Sequence, residues 1–404
     1  MKRIFTFFSL LFCCAWLWAA IDMQAHMNSK EGYSKYTQYR SKQINYYTGD
    51  FTADALRALS DDALFGALNE LMGNTCQLDQ SSYTYNTLRS AYASVDKDLN
   101  GTGNIIGYYD GRSMSGTWDN GETWNREHTW PQAKGANKDI PMGHDMQSVR
   151  PTSTAVNSSR GDDAYGELAT CSKCYDPDEV AINNANYEAK NLGTYRGDAA
   201  RVILYDYVVY GEAGGHKNKL YNGNAQLLSK LGKSGVFESI PVLLKWHMND
   251  PISLTEMVRN DGAQVYQGNR NPFIDYPELA IQMLKNANGV STYNVSVAGA
   301  EMRPAYSLTL KDGFIAYVGK YAAKMTPASE VTVTGATYTY DNTTGRLTIT
   351  KVTGPVTITV PSAEAIEMTA DSQKAIKVIH NGQILILKNG KAYNTLGAVV
   401  DDIR

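Results

Sequence analysis

The sequence has no surplus of either charge. Across 404 residues, 38 Lys and Arg stand against 41 Asp and Glu, for a net charge of −3. Nucleic-acid binders are commonly basic overall, so bulk charge gives no support for such a partner and any steering must come from local clusters. Cysteine is scarce, with five residues in all. Cys171-Ser-Lys-Cys174 has metal-knuckle spacing, but a structural zinc site needs about four ligands, and no second pair exists. No His-Glu-x-x-His segment and no Ser-centred hydrolase motif occurs, which argues against zinc-peptidase and serine-hydrolase chemistry. The apolar run over residues 4–20 falls slightly short of the roughly 20 residues of a membrane span.

That run follows Met1-Lys-Arg, and a short basic segment before an apolar core is the pattern of a secretory signal. Cleavage after Ala19 or Ala20 is favoured over an uncleaved anchor, which leaves no stable membrane span. Cys13 and Cys14 fall inside the signal. Phe12 and Cys13 stand where a lipoprotein would carry small residues. Thiols oxidise outside the cytosol, so Cys76 is expected to bridge to Cys171 or Cys174, the choice between them being open.

Residues 21–44 form a polar entry segment. Leu56, Leu59, Leu64, Leu68 and Leu71 recur at a helical period, with Ser60 as a cap. Further helices are expected over residues 82–95, 198–209, 225–231, 240–248, 253–260 and 278–284. Residues 105–110 read as a strand, residues 111–121 as a loop, and residues 123–130 as the strand that carries Glu127 and His128. Pro131 ends it. Pro151 and Thr152 start a helix that runs through Asn157 to Arg160, with Pro151 suited to the first turn. The order is strand, loop, strand, helix.

Glu127 and His128 are the centre of interest. A carboxylate suits a hard divalent cation, and a neutral imidazole can take a proton from water. Adjacent strand residues point to opposite faces, so the two flank one site only if the backbone bends or the site wraps the strand. Asn157 offers a second oxygen ligand. Arg126, Lys134, Lys138, Arg150 and Arg160 cluster around these positions in sequence.

Trp124-Asn-Arg-Glu-His-Thr-Trp-Pro131 resembles the signature of the bacterial endonuclease I family, secreted or periplasmic nucleases with a ββα-metal (His-Me finger) core. Asp145-Met-Gln-Ser-Val-Arg-Pro151, Asn157-Ser-Ser-Arg-Gly161 and Arg196-Gly-Asp-Ala-Ala-Arg201 resemble its next segments. Trp246-His-Met-Asn-Asp-Pro251, Arg259-Asn260 and Gln267-Gly-Asn-Arg-Asn-Pro-Phe-Ile-Asp275 resemble its closing ones. The resemblance covers about residues 45–290. It implies an α+β fold, mainly helical around the ββα-metal core. It also implies His128 as general base, Glu127 and Asn157 as ligands of Mg2+ or another divalent cation, and DNA as substrate with RNA open. Cleavage would leave a 5′-phosphate. The family's transition-state arginine does not map clearly; Arg150 is the first candidate and Arg160 the second. His144 is read as structural.

After about residue 290 the texture changes to Thr- and Val-rich alternation, the mark of short strands. Residues 300–370 are expected to form a small all-β module, with Asp341-Asn-Thr-Thr-Gly345 as a hairpin loop. Residues 371–404 carry the turn dipeptides Asn381-Gly382 and Asn389-Gly390 between apolar runs. This tail resembles the sorting tail of Bacteroidetes proteins exported by type IX secretion, which implies contact with that machinery and release, via the periplasm, to the surface or medium. The alternative is the last hairpin of the β module, and the two are compatible, since a sorting tail is itself a small β fold.

The leading reading is a metal-dependent endonuclease without sequence preference. The alternative is a non-catalytic secreted protein whose β modules bind a surface or glycan, favoured if Glu127, His128 and Asn157 fail to converge in space.

Overall fold

The computed structural model describes residues 45–78, 83–99, 101–178, 195–227, 231–299, 301–318 and 331–360, and four short strands between residues 376 and 400. The chain divides into two units, residues 1–360 and 361–404. The signal, the entry segment and both turn dipeptides of the tail lie outside the described residues.

The first unit carries helices α1 (Ala53–Arg57), α2 (Asp61–Thr75), α3 (Thr87–Val95), α4 (Thr154–Arg160), α5 (Arg196–Tyr210), α6 (Ile240–Asn249), α7 (Leu254–Gln267), α8 (Pro272–Asp275) and α9 (Glu278–Leu284). The leucine period of α2 places Leu64, Leu68 and Leu71 in the core. α5 is more than one-sided: every residue from Gly197 to Tyr210 is buried, which makes it the central rod of the helical layer. Its buried charges Asp198 and Arg201 are met by opposite charges on neighbouring turns and helices. Arg201 reaches Glu256 at 2.5 Å and Asp198 at 3.0 Å. Glu256 also closes the capping box of α7, accepting from the Ser253 backbone N–H at 2.8 Å.

Strands β1 (Asn104–Ile106) and β2 (Ser113–Ser115) pair antiparallel, so the segment expected to be a loop over residues 111–121 contains a strand, and the first strand is shorter than expected. Residues 108–110 make the turn between them, closed by Gly111 N–H donating to Gly107 C=O at 3.0 Å. Strands β3 (Trp124–His128) and β4 (Val149–Ser153) form an antiparallel hairpin, with Glu127 opposite Arg150 and His128 opposite Val149. α4 follows β4 directly. Pro151 therefore lies within β4, not at the first turn of the helix. A two-stranded sheet has only edge strands, where proline's missing N–H is tolerated. The helix expected over residues 225–231 does not begin at Ala225 or Gln226, whose backbone is irregular.

The remaining strands of this unit are β5 (Tyr293–Gly299), β6 (Met302–Arg303), β7 (Leu308–Thr309), β8 (Phe314–Val318), β9 (Thr332–Thr334), β10 (Thr337–Asp341), β11 (Arg346–Thr350) and β12 (Val356–Val360). They form two four-stranded sheets, ordered β10-β11-β8-β6 and β7-β5-β12-β9, with β5 and β12 parallel. The Asp341–Gly345 loop closes the β10-β11 hairpin, and Thr343 N–H donates to the Asp341 carboxylate at 2.8 Å. Tyr317 of β8 is buried with Ile252, Met257 and Ile274 of the helical part. The fold is mixed α+β, with a mostly-strand region over residues 293–360.

In the second unit, β13 (Ile376–His380), β14 (Gln383–Lys388), β15 (Lys391–Tyr393) and β16 (Val399–Val400) make one antiparallel sheet in sequential order.

The disulfide joins Cys171 to Cys174, and Cys76, at the end of α2, is buried in the helical core. The expected Cys76 bridge is thus corrected. A tight turn, in which Cys174 N–H donates to Cys171 C=O at 2.8 Å, brings the two near cysteines together.

Candidate active site

The β3-β4 hairpin and α4 enclose a small pocket lined by Arg126, Glu127, His128, Gln132, Asn157, Gly161 and Asp162, with Pro131 and Ala133. Glu127, His128 and Asn157 therefore converge. The chain bends at Thr129 and Trp130, directly after His128, so the pocket wraps the end of the strand and admits both neighbours.

His128 is 7% exposed. Its Nε2 lies 3.0 Å from the Gly143 carbonyl. A carbonyl only accepts, so Nε2 carries the proton and Nδ1 keeps its lone pair. Gln132 Nε2 approaches Nδ1 at 3.4 Å from the pocket side. Burial pushes the imidazole pKa down to about 4, so the ring is neutral at physiological pH. The Tyr85 ring packs at 5.7 Å from it. Gly143 is required where it stands: a Cβ there would lie 1.9 Å from the Asn137 carbonyl oxygen.

Glu127 is 1% exposed. The Tyr109 hydroxyl donates to Oε1 at 2.8 Å, and Arg160 Nε lies 3.3 Å from the same oxygen. The Arg160 contact is an ion pair without hydrogen-bond alignment. Both partners fall on Oε1, which leaves Oε2 as the oxygen for the pocket. Burial raises the Glu127 pKa against the pull of Arg160 and Tyr109. Tyr109 holds a left-handed backbone, φ 76°, unusual for a bulky residue and typical of strain kept at functional sites.

Asn157 donates from Nδ2 to Asn125 Oδ1, so its own Oδ1 is left for the pocket. α4 ends at Gly161, whose φ of 57° with ψ of −127° is open only to glycine. One carboxylate oxygen and one amide oxygen fit a hard cation that keeps several of its waters. Among the described residues no group of three or more His, Cys, Asp or Glu side chains could cage an ion, so a site here would be completed by solvent or substrate oxygens.

The two arginines expected to meet phosphate are placed differently. Arg160 is fully buried; besides its ion pair with Glu127 it donates to the Thr129 and Gly161 carbonyls at 2.9 and 3.0 Å. Arg150 does not line the pocket. Its guanidinium lies over the Tyr108 ring at 5.0 Å, and Nε donates to Gln147 C=O at 3.2 Å. Arg126, which does line the pocket, was singled out in sequence only as one of a charged cluster. Tyr109 and the Gly143 carbonyl were not singled out at all. His144 donates from Nδ1 to Lys138 C=O at 3.1 Å.

The other motifs build the scaffold. Asp145 accepts from Tyr205 and Tyr210 hydroxyls at 2.7 and 2.6 Å and from Gln267 Nε2 at 2.8 Å. Arg259 pairs with Asp96, and Arg270 with Asp275, each at 2.7 Å. His247 is buried and donates to Pro277 C=O at 2.8 Å.

A neutral, oriented imidazole beside an oxygen-donor pocket on a strand–strand–helix unit is the equipment of a hydrolase that activates water. The chain belongs to the endonuclease I family, whose model matches residues 64–278, and is thus a nuclease, a phosphodiester hydrolase. It is similar to an extracellular ribonuclease of Bacillus amyloliquefaciens, 31% identical over 235 residues, which is 55% of this chain and 73% of that protein. It is also similar to an extracellular ribonuclease of Bacillus subtilis (strain 168), 29% identical over 248 residues, 58% of this chain and 78% of that protein.

Proposed function

We propose that the protein is a secreted, metal-dependent endonuclease that cleaves nucleic acid without sequence preference, with DNA and RNA both as substrates. The observation that carries this reading is the shared pocket of His128, Glu127 and Asn157, with His128 Nδ1 left as the basic nitrogen. In this mechanism Nδ1 accepts a proton from water. The oxygen of that water bonds to phosphorus, the P–O3′ bond breaks with its electron pair going to O3′, which takes a proton from solvent, and a 5′-phosphate and a 3′-hydroxyl remain. Glu127 and Asn157 would hold Mg2+ or another hard divalent cation, which when bound supplies neutralisation of the charge that builds on the phosphorane. Arg160 acts as a positioning residue through Glu127. Arg126, on the pocket wall, takes the phosphate contact; the buried stacking of Arg150 on Tyr108 speaks against a phosphate contact from that side.

The relatives' description as ribonucleases supports RNA as a substrate, and their description as extracellular supports secretion through the signal over residues 1–20. Residues 371–404 would then serve as the sorting tail. The test is to incubate residues 21–404 with supercoiled plasmid and with structured RNA, with Mg2+ and with chelator. Nicking of plasmid and cutting of RNA that both stop with chelator are expected. Cleavage that persists in chelator overturns metal dependence, and no cleavage of either substrate overturns the assignment.

A further inference from the structure

Behind His128 lies a second cleft of about 490 Å³ that the reaction above does not use. Its wall includes Tyr83, Tyr85, Arg89, Arg126, Lys138 and His144, with Asp139 as the carboxylate among them. Two observations set it apart from an ordinary charged surface. First, two N–H donors at this cleft are buried without a hydrogen-bond partner, Arg89 Nε and Arg126 Nε. Second, the guanidinium groups are held by ring faces instead of acids, and Arg126 Nη1 also donates to the Tyr85 carbonyl at 2.9 Å. Arg126 Cζ lies 3.5 Å from the Tyr85 ring centroid and 5.2 Å from that of Trp118, and Arg89 Cζ lies 4.5 Å from the Trp118 centroid.

Stacking fixes a guanidinium plane while leaving its N–H edge for an oxyanion. Unpaired buried donors cost stability until an acceptor arrives. Here the acceptor must come from outside, and it must be anionic.

Position narrows the choice further. Arg126 lines both this cleft and the catalytic pocket, and Tyr85 packs on the His128 ring. The cleft begins where the pocket ends. We propose that it is a substrate subsite that holds a backbone phosphate of the nucleotide next to the scissile one, gripped by Arg89 and Lys138, with Arg126 on the boundary between this cleft and the catalytic pocket. The proposal rests on the nuclease reading for the identity of the polyanion.

Binding and cleavage are to be measured separately. A fluorescein-labelled single-stranded oligonucleotide is titrated by anisotropy, in EDTA, against the full-length wild type, Arg89→Gln and Lys138→Ala, from low to moderate salt. Each variant should bind about tenfold more weakly, the size of one charge-assisted contact. Each should also flatten the salt slope by about one unit. With Mg2+, KM should rise by a similar factor and kcat should hold, as for binding that is equal in ground and transition states. Lys138 is exposed on a loop, so its variant tests the cleft even if Arg89→Gln disturbs the stack on Trp118.

Unchanged affinity and slope in both variants overturn the subsite, as does a loss of kcat with KM unchanged. Failure of the wild type to bind without metal overturns it too. If binding and slopes follow expectation but no cleavage occurs with Mg2+, the subsite stands and the proposed reaction falls.

Discussion

The Gly143 carbonyl accepts from His128 Nε2 at 3.0 Å and so selects the tautomer in which Nδ1 is the basic nitrogen. Gly143 can approach this closely only without a side chain, since a Cβ would meet Asn137 backbone at 1.9 Å. Gly143→Ala should shift the carbonyl and turn the imidazole. A misplacement near 1 Å costs roughly a hundredfold in rate, so kcat should fall by about that factor while oligonucleotide affinity holds. Steady-state kinetics with anisotropy would check it, and an unchanged kcat would mean that the carbonyl does not orient the base. A second buried histidine contributes to acid sensitivity, as His128 does. Burial pushes His247 down to about 3 from 6.5. The unfolded state therefore takes up a proton near pH 6.5 and the folded state only far below, so this contribution is full above pH 6.5 and is lost as pH falls. Between pH 7 and 5 the loss is about 2 kcal/mol. Urea unfolding at both pH values should show His247→Gln losing less than the wild type by about that amount; equal losses would remove His247 from the acid response. That His128, Glu127 and Asn157 would meet in one pocket was readable because each is a side chain with its own chemistry in an ordered set of motifs. The Gly143 carbonyl was not, because every residue has one. Tyr109 was hidden by its left-handed backbone inside an apolar run that reads as strand.

Among the elements, α4 is tied to the β3-β4 hairpin by Arg160, which spans from Glu127 Oε1 to the Thr129 carbonyl with no exposure. Removing one partner of a buried pair costs about 3–5 kcal/mol, because the other charge is left unpaired. Arg160→Ala should lose stability on that scale and activity with it, and Arg160→Lys should recover part of both. Chemical denaturation would measure this. A wild-type midpoint for Arg160→Ala would contradict the role given to the pair. Strand, loop, strand, helix was legible as an order because Glu127 to Pro131 and Asn157 to Gly161 bracket it. The point where β4 becomes α4 was not. Pro151 suits a first helical turn, and only the two-stranded nature of the sheet makes it acceptable inside β4. The disulfide erred for a similar reason: compartment says that thiols oxidise but not which ones meet, and the turn at Cys171–Cys174 decides that.

For the molecule as a whole, the change of texture near residue 290 marks a change of secondary structure, yet the strands to Val360 share one unit with the helices. Tyr317 is sealed among Ile252, Met257 and Ile274, and Asn249 Nδ2 donates to Gly313 C=O at 3.4 Å. Removing residues 361–404 should leave cleavage and the unfolding midpoint unchanged. Removing residues 291–404 should destabilise the helical part by a few kcal/mol, because truncating a buried aromatic alone costs about 3–5 kcal/mol. Loss of activity in the shorter deletion, or full stability in the longer one, would redraw this boundary.

The most direct measurement compares wild type and His128→Ala on supercoiled plasmid and on RNA with Mg2+, with oligonucleotide binding and folding monitored in parallel. Loss of a positioned base costs about 10²–10⁴-fold, so the variant should lose turnover by that factor on both substrates while it stays folded and still binds. Cleavage by folded His128→Ala at the wild-type rate would contradict the account.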